Sequence, residues 1–310
     1  MSLVMPTYNR ATHLEKALAS IAAASFPDPA QVEVIVVDNN STDNTGALVK
    51  RLAEDFPYQL RCIREENQGS SRARNRGVNE ARGKYVIFMD DDQLMDSHYL
   101  ENIPGAFEQT GAECIGGPVF YYNADNLPGW LSELSKSIGQ FSFGDQVKVL
   151  GPDTHKGLGG GNMAIVRSEF IAAGGFNVHL GHTGNDMIGL EDLEIQDRLR
   201  GLGKTIVYTP QLIQYHYLRP ERYKKSYWRE YFFSYGRSAY IRRSDETGRR
   251  RRSRFRIPIW LWRRLIIHDV PAYCISLFRF DSFKRFRNEL EIWARMGQIR
   301  EAMQAAEDKK

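Results

Sequence analysis

Three adjacent carboxylates, Asp90, Asp91 and Asp92, follow directly on the apolar run Tyr85-Val86-Ile87-Phe88-Met89. Like charges a few ångströms apart repel one another and raise each other's pKa, so something must offset them. A divalent cation with a bound phosphate would do so; an acidic turn capping the next helix at Ser97 is the bland alternative. Asp38 ends a second apolar run, Val32-Glu33-Val34-Ile35-Val36-Val37, in the same way. A carboxylate there suits hydrogen bonding to a nucleobase or ribose, or equally an Asx turn before the next helix. Arg72, Arg74 and Arg76 stand at even spacing. That spacing spreads them round a helix, so one or two at most can face a phosphate. Glu191-Asp192 opens a helical stretch, and on residue type alone the pair reads as acids in a favourable first turn. Gly159 to Asn162 either lets the backbone approach a ligand closely or forms a flexible loop. His216 is a lone histidine, a type that is more often structural.

These residues need elements to hold them. Leu3-Val4-Met5 is a first strand, broken by Pro6, and Thr12 to Glu15 has capping-box spacing ahead of a helix through Leu14, Leu18 and Ile21. Val32 to Val37 is a buried strand, and Thr42 or Asp43 caps a second helix. Leu60 to Ile63 is a third strand, Arg72 to Ala81 a helix, and Tyr85 to Met89 a fourth strand with both faces buried. Strands alternating with helices at this spacing predict a mostly parallel sheet with right-handed crossovers. Ligands of such sheets bind at the strands' carboxyl ends, where Asp38 and Asp90 both lie. Beyond residue 100 come short strands at 114–117 and 119–122, an irregular stretch at 123–156, and the MAIV strand. A mobile loop at 177–189, a helix closed by Gly203 and a strand at 205–208 follow.

Six stretches then stand in one order: PTYNR (6–10), VIVVDNNSTDNT (34–45), NQGSSRARNRGV (67–78), FMDDDQ (88–93), GGGNMAIVRSEFIAAGGF (159–176) and GLEDLEIQDRLRGLG (189–203). Together they resemble the family-2 glycosyltransferases over residues 2–218. The resemblance implies a GT-A fold, Rossmann-like, and transfer of a sugar from a nucleotide-activated donor with inversion. It implies that Pro6, Thr7, Asp38 and Arg74 serve the donor nucleotide, with Gly160 and Asn162 near the donor sugar. Asp90 and Asp92 fill the outer positions of the DxD motif, Asp91 lies between them, and Asp92 would hold Mg²⁺ or Mn²⁺ beside the diphosphate. Asp192 matches the general base, with Glu191 next to it, and His216 would meet the diphosphate or the metal. One motif for the metal and one for the base are the minimum that inverting transfer needs.

Composition is that of a soluble globular chain: 310 residues, 42% hydrophobic and 26% charged. The three cysteines stand apart without CxxC spacing, which predicts reduced thiols, a cytosolic setting and no zinc site. No signal peptide is expected ahead of the first strand. The net charge of +4 conceals an asymmetry. Residues 217–310 hold 24 Lys+Arg against 11 Asp+Glu, and the preceding 216 hold 18 against 27. The division expected is a catalytic domain at 1–218 and a basic, mainly helical region at 219–310, ending in an amphipathic helix through Phe286, Leu290, Trp293 and Met296. Residues 249–256 read RRRRSRFR, ahead of IPIWLW, Arg263-Arg264 and Leu265-Ile266-Ile267. No apolar stretch approaches the ~20 residues that span a bilayer. Arginines beside tryptophans fit a segment lying in the headgroup layer instead. Packing on the catalytic domain or on a second subunit, as a homo-oligomer, is the other reading. An acidic body without a base-reading module argues against nucleic acid as a partner.

The expectation is therefore a metal-dependent inverting transferase of hexosyl type, cytoplasmic and peripheral on the inner face of the membrane. Its donor is a nucleotide-diphosphate sugar, with uridine diphosphate the commonest base in the family. Its acceptor is a glycan or a polyprenyl-linked chain, in surface polysaccharide or lipid-linked glycan synthesis. The alternative is a non-catalytic nucleotide-sugar or lipid-binding module of the same fold, against which the intact acidic motifs count.

Overall fold

The computed structural model describes every residue except 137, 139, 140, 153, 155, 185, 247–257, 279, 280 and 308–310. The chain forms two compact units: one of residues 1–124, 138–178 and 191–218, the other of 125–137, 179–190 and 219–310.

In the first unit the chain runs β1 (Ser2–Thr7), α1 (Ala11–Ala23), β2 (Glu33–Asp38), α2 (Thr45–Leu52), β3 (Gln59–Arg64), α3 (Ser70–Glu80) and β4 (Tyr85–Phe88). β5 (Gln93–Met95), α4 (Tyr99–Thr110), β6 (Cys114–Gly116) and β7 (Val119–Tyr121) follow. After α5 (Gly129–Ser135), which groups with the second unit, come β8 (Lys148–Val149), β9 (Met163–Val166) and α6 (Arg167–Ala172). α7 (Glu191–Gly201), β10 (Ile206–Tyr208) and β11 (Gln214–His216) complete it. Eight strands make one sheet in the order β3-β2-β1-β4-β9-β6-β10-β8, and β5-β11-β7 make a second. β3, β2, β1 and β4 are parallel, whereas β9 runs antiparallel between β4 and β6. The expected α/β class, a large mostly parallel sheet flanked by helices with a helical C-terminal region, is observed.

Both faces of the sheet are buried, as the apolar strands require. Leu3, Met5, Val34 and Val36 face a layer with Leu14, Leu18 and Ile21; Val4, Ile35 and Val37 face the other, with Ala73 and Val78. A Cβ on Gly77 would collide with Val4, so α3 lies directly on β1 through its small residues. Pro6 does not break β1. The ladder to β4 covers only Ser2 to Val4, so at Pro6 the strand has one neighbour, and an edge tolerates proline. Helix α1 begins at Ala11, not after Thr12, and Asp43 accepts its Ala11 N–H at 3.2 Å. The stretch expected to be irregular, 123–156, contains α5 and β8.

The second unit is helical: α5, α8 (Lys225–Glu246), α9 (Ile259–Arg264), α10 (Val270–Leu277) and α11 (Ser282–Glu307), with a π-helical turn at Leu265–Asp269. α8 and α11 cross closely. Side chains on Gly236 or Gly297 would enter the carbonyls of Ala294 and Phe233. Phe286 and Leu290 are buried as expected, but Met296 is exposed, because Gly297 takes the seam position. The arginine run 249–256 lies outside the described residues. No helix among the described residues is long and apolar enough to cross a membrane.

Candidate active site

The sheet brings the carboxyl ends of β1, β2 and β4 to one edge, and β9, running the other way, starts there. Thr7 ends β1, Asp38 ends β2, and Asp90 to Asp92 leave β4 and turn into β5. The turn therefore does not cap a helix, which begins only at Tyr99 with Asp96 at its start. The second sheet carries His216 in register with Gln93, beside Asp92. The strands β5 and β11 that make this pairing have no signature in the sequence.

Two arginines serve the three aspartates. Arg74 donates from Nη2 to Asp90 Oδ1 at 2.6 Å and from Nη1 to Glu191 Oε1 at 2.7 Å. It is buried, and its guanidinium lies 5.7 Å from the centre of the Phe176 ring. Asn75 fixes that residue through its main-chain N–H and carbonyl, both at 2.8 Å. Burial works against the Arg74 charge, but Asp90 and Glu191 outweigh it and raise its pKa. Arg74 is thus spent on the protein's own carboxylates, not presented bare to a donor; its Nε is buried without a hydrogen-bond partner. Asp91 accepts from the Thr7 hydroxyl at 2.8 Å and from Arg10 Nη1 at 2.9 Å, and the same Arg10 atom lies 3.4 Å from Asp92. Burial pushes the Asp91 carboxyl up to about 6, against the pull of Arg10 and with the repulsion of Asp92. The repulsion within the acidic triplet is therefore met in large part by two internal arginines. Arg10 is the residue of this cluster that sequence reasoning passed over. Its one signal was its place at the end of PTYNR.

His216 Nδ1 lies 2.8 Å from the Tyr217 carbonyl, which can only accept, so Nδ1 carries the proton. That turns Nε2 toward Asp92 Oδ1, 3.5 Å away. A carboxylate oxygen and an imidazole nitrogen oriented by a carbonyl are a donor set that fits Mg²⁺ or Mn²⁺. Among the described residues no group of three or more His, Cys, Asp or Glu is gathered, so the rest of a cation's shell would come from phosphate and water.

Glu191 and Asp192 open α7, directly after Leu190, whose φ of 69° is a strained value for a branched side chain. Asp192 accepts the Gly160 N–H at 2.9 Å and the Leu193 N–H at 2.8 Å. Burial first, and then the Glu191 charge, push its carboxyl up to about 6. The glycine loop has little spare room. A Cβ on Gly161 would stand 2.5 Å from Asp90 Oδ2, and one on Gly160 would stand 3.2 Å from Asp192 Cβ. These glycines let the loop approach the acidic groups themselves.

Two expectations change. Asn162 does not face a donor: it is 0% exposed, donates to the Pro118 and Leu212 carbonyls and accepts from the Tyr99 hydroxyl. Its side chain ties three segments together. Asp38 takes the Asx-turn alternative in part, accepting Ser41 N–H at 2.8 Å, while its other oxygen lies 3.7 Å from Arg64. It does not cap α2, where Asp43 accepts from Thr45 instead. Pro6 is half-buried in β1.

Residues 2–170 match the family model of glycosyl transferase family 2. Glycosyltransferase AglE of Haloferax volcanii is 26% identical over 205 residues, 61% of this chain and 66% of that protein. The GalNAc(5)-diNAcBac-PP-undecaprenol beta-1,3-glucosyltransferase of Campylobacter jejuni is 36% identical over 105 residues, 33% of each. The chain thus spans less than two thirds of either relative. Among solved structures, mannosyltransferase PcManGT from Pyrobaculum calidifontis, in complex with GDP-Man and Mn²⁺, superposes with a TM-score of 0.61. It is 17% identical, with coverage of 99% of this chain and 86% of that one, and shares the fold.

Proposed function

The chain belongs to glycosyl transferase family 2, and we propose that it moves a sugar from a nucleotide-diphosphate donor to a hydroxyl acceptor, as a metal-dependent, inverting, hexosyl-type transferase. The observation that carries this reading is the Arg74 bridge. One buried guanidinium holds Asp90, in the motif assigned to the diphosphate, and Glu191, beside the assigned base, at 2.6 and 2.7 Å. Two motifs about a hundred residues apart thereby share one site.

In this reading Asp192 takes the proton of the acceptor hydroxyl. A base with a pKa near 6 is ionised at neutral pH yet basic enough to help, a contribution of roughly 10²–10⁴ in rate. Gly160 and Leu193 N–H groups hold its two oxygens in place, and Arg74 fixes Glu191 next to it. Inversion needs this one base on the face opposite the leaving group. Pro6, Thr7 and Asp38 line the nucleotide side, and Asp90 and Asp91 the donor side. Asp92 and His216 would hold Mg²⁺ or Mn²⁺, which when bound stabilises the negative charge of the departing diphosphate. The acceptor is a glycan or a polyprenyl-linked chain at a membrane surface; the undecaprenol in the printed name of the Campylobacter relative supports that class.

The test is calorimetric titration of a panel of UDP- and GDP-sugars, each with and without Mn²⁺, on the wild type and Asp92→Ala. One donor is expected to bind more tightly with Mn²⁺, and Asp92→Ala to lose the Mn²⁺-dependent part. If no nucleotide sugar binds under any condition, the proposal is wrong.

A further inference from the structure

In the second unit, α9, the π turn after it and α10 carry a surface that is exposed among the described residues. Leu261 is buried with Ile299 and Ala302, which fixes which side of α9 faces inward. Arg295 in α11 holds Asp269 at 2.9 Å, and Asn288 donates to the Ala272 carbonyl at 3.0 Å, so α10 is fastened as well. Away from that contact Ile259, Trp260, Trp262, Ile266 and Ile267 are exposed, as is Phe278 at the end of α10, by 88%. A cavity of about 540 Å³ is lined by Trp260, Arg263, Arg264, Ile267 and His268. The Arg243 guanidinium lies 5.0 Å from the centre of the Trp260 ring.

The geometry points to an anionic lipid surface as the occupant of this face, with phosphate headgroups seated among Arg263, Arg264 and His268. Tryptophan and isoleucine side chains beside arginines are the composition that lies in a headgroup layer. A second copy of the chain as the occupant is disfavoured by charge. A second copy placed by a two-fold axis would set Arg263 and Arg264 against themselves, and like charges across an interface are costly. The sequence ahead of α9, residues 249–256, holds six further arginines, and such basic charge favours an anionic bilayer. The inference deepens the proposal of a membrane-borne acceptor and rests on it for its purpose, but not for its test.

The full chain is mixed with phosphatidylcholine vesicles, with and without phosphatidylglycerol, and the bound fraction is read by sedimentation. Binding is expected only with phosphatidylglycerol, weakening as salt rises. It should fall about fivefold for each of Arg263→Ala and Arg264→Ala, and again for the Ile266→Ser, Ile267→Ser pair. All four side chains are exposed, and unchanged circular dichroism verifies the fold. Absence of binding, equal binding to both vesicles, or a dimer that Ile266→Ser abolishes would each overturn the inference. So would displacement by inorganic phosphate beyond that by chloride at the same ionic strength, which would assign the cavity to a free anion. Nucleotide-sugar binding measured on the same samples keeps the two proposals apart. Loss of donor binding with vesicle binding intact refutes only the transferase reading, and the reverse refutes only this one.

Discussion

Arg74 in the first unit and Arg237 in the second each span two carboxylates that are distant in sequence, yet the two bridges are built for different ends. Arg74 holds Asp90 and Glu191 at 2.6 and 2.7 Å with its side chain 6% exposed. Arg237 holds Asp186 and Glu301 at 3.0 Å each, with its side chain 21% exposed and that of Asp186 41%. Water can reach the second bridge and take over if it breaks, so its net worth is small. The first is dry. Apolar residues in its place would stabilise the fold as well or better, whereas removing one partner leaves a buried charge unmatched. A dry bridge is therefore a poor way to gain stability and a good way to fix carboxylates in place. That difference separates positioning from fastening.

The comparison fails if the two arginines are interchangeable. Arg74→Ala should lower the unfolding free energy by about 3–5 kcal/mol in urea titrations, the cost of breaking a buried pair. Arg237→Ala should cost about 1 kcal/mol, near the upper end for water-exposed pairs; equal losses would erase the distinction. The acidic side is read by the pH dependence of stability. Asp91 and Asp192 both titrate near 6 in the fold, above the ~4 of an exposed aspartate. The folded state thus holds protons that the unfolded state has lost. The stability from these two groups is full below about pH 4 and declines as pH rises through 6, by roughly 3 kcal/mol each. Improvement across that window in a protein lacking the second carboxyl, Asp91→Asn, against the wild type would confirm the sign; no change would refute it. At the bottom of the scale, Arg263→Ala should move stability by no more than about 0.5 kcal/mol, as an exposed position should.

The sequence was most readable where its pattern was periodic and long. The apolar strands, their alternation with helices and the two acidic motifs are all local signals. Three-residue strands such as β5 and β11 present no period, so the small sheet that brings His216 beside Asp92 was invisible. Pairings across the chain were equally so. Arg10 meets Asp91 at a separation of 81 residues, and Arg74 meets Glu191 at 117. Spacing carries no information at that range. The resemblance puts Asn162 near the donor sugar, whereas β9 begins one residue later and takes its side chain into the core. The amphipathic reading of α11 failed at Met296 because a close crossing favours glycine on the inner face over the larger residue beside it.

The central claim is that the site holds Asp192 as the base of a transfer reaction. With the donor identified by titration, the rate of sugar transfer should be measured from pH 5 to 8 for the wild type and Asp192→Asn. The account predicts a wild-type rate that rises through about pH 6, and a variant that binds the donor as well but transfers roughly 10²–10⁴ more slowly without that rise. A variant that keeps the wild-type rate and pH profile would contradict it.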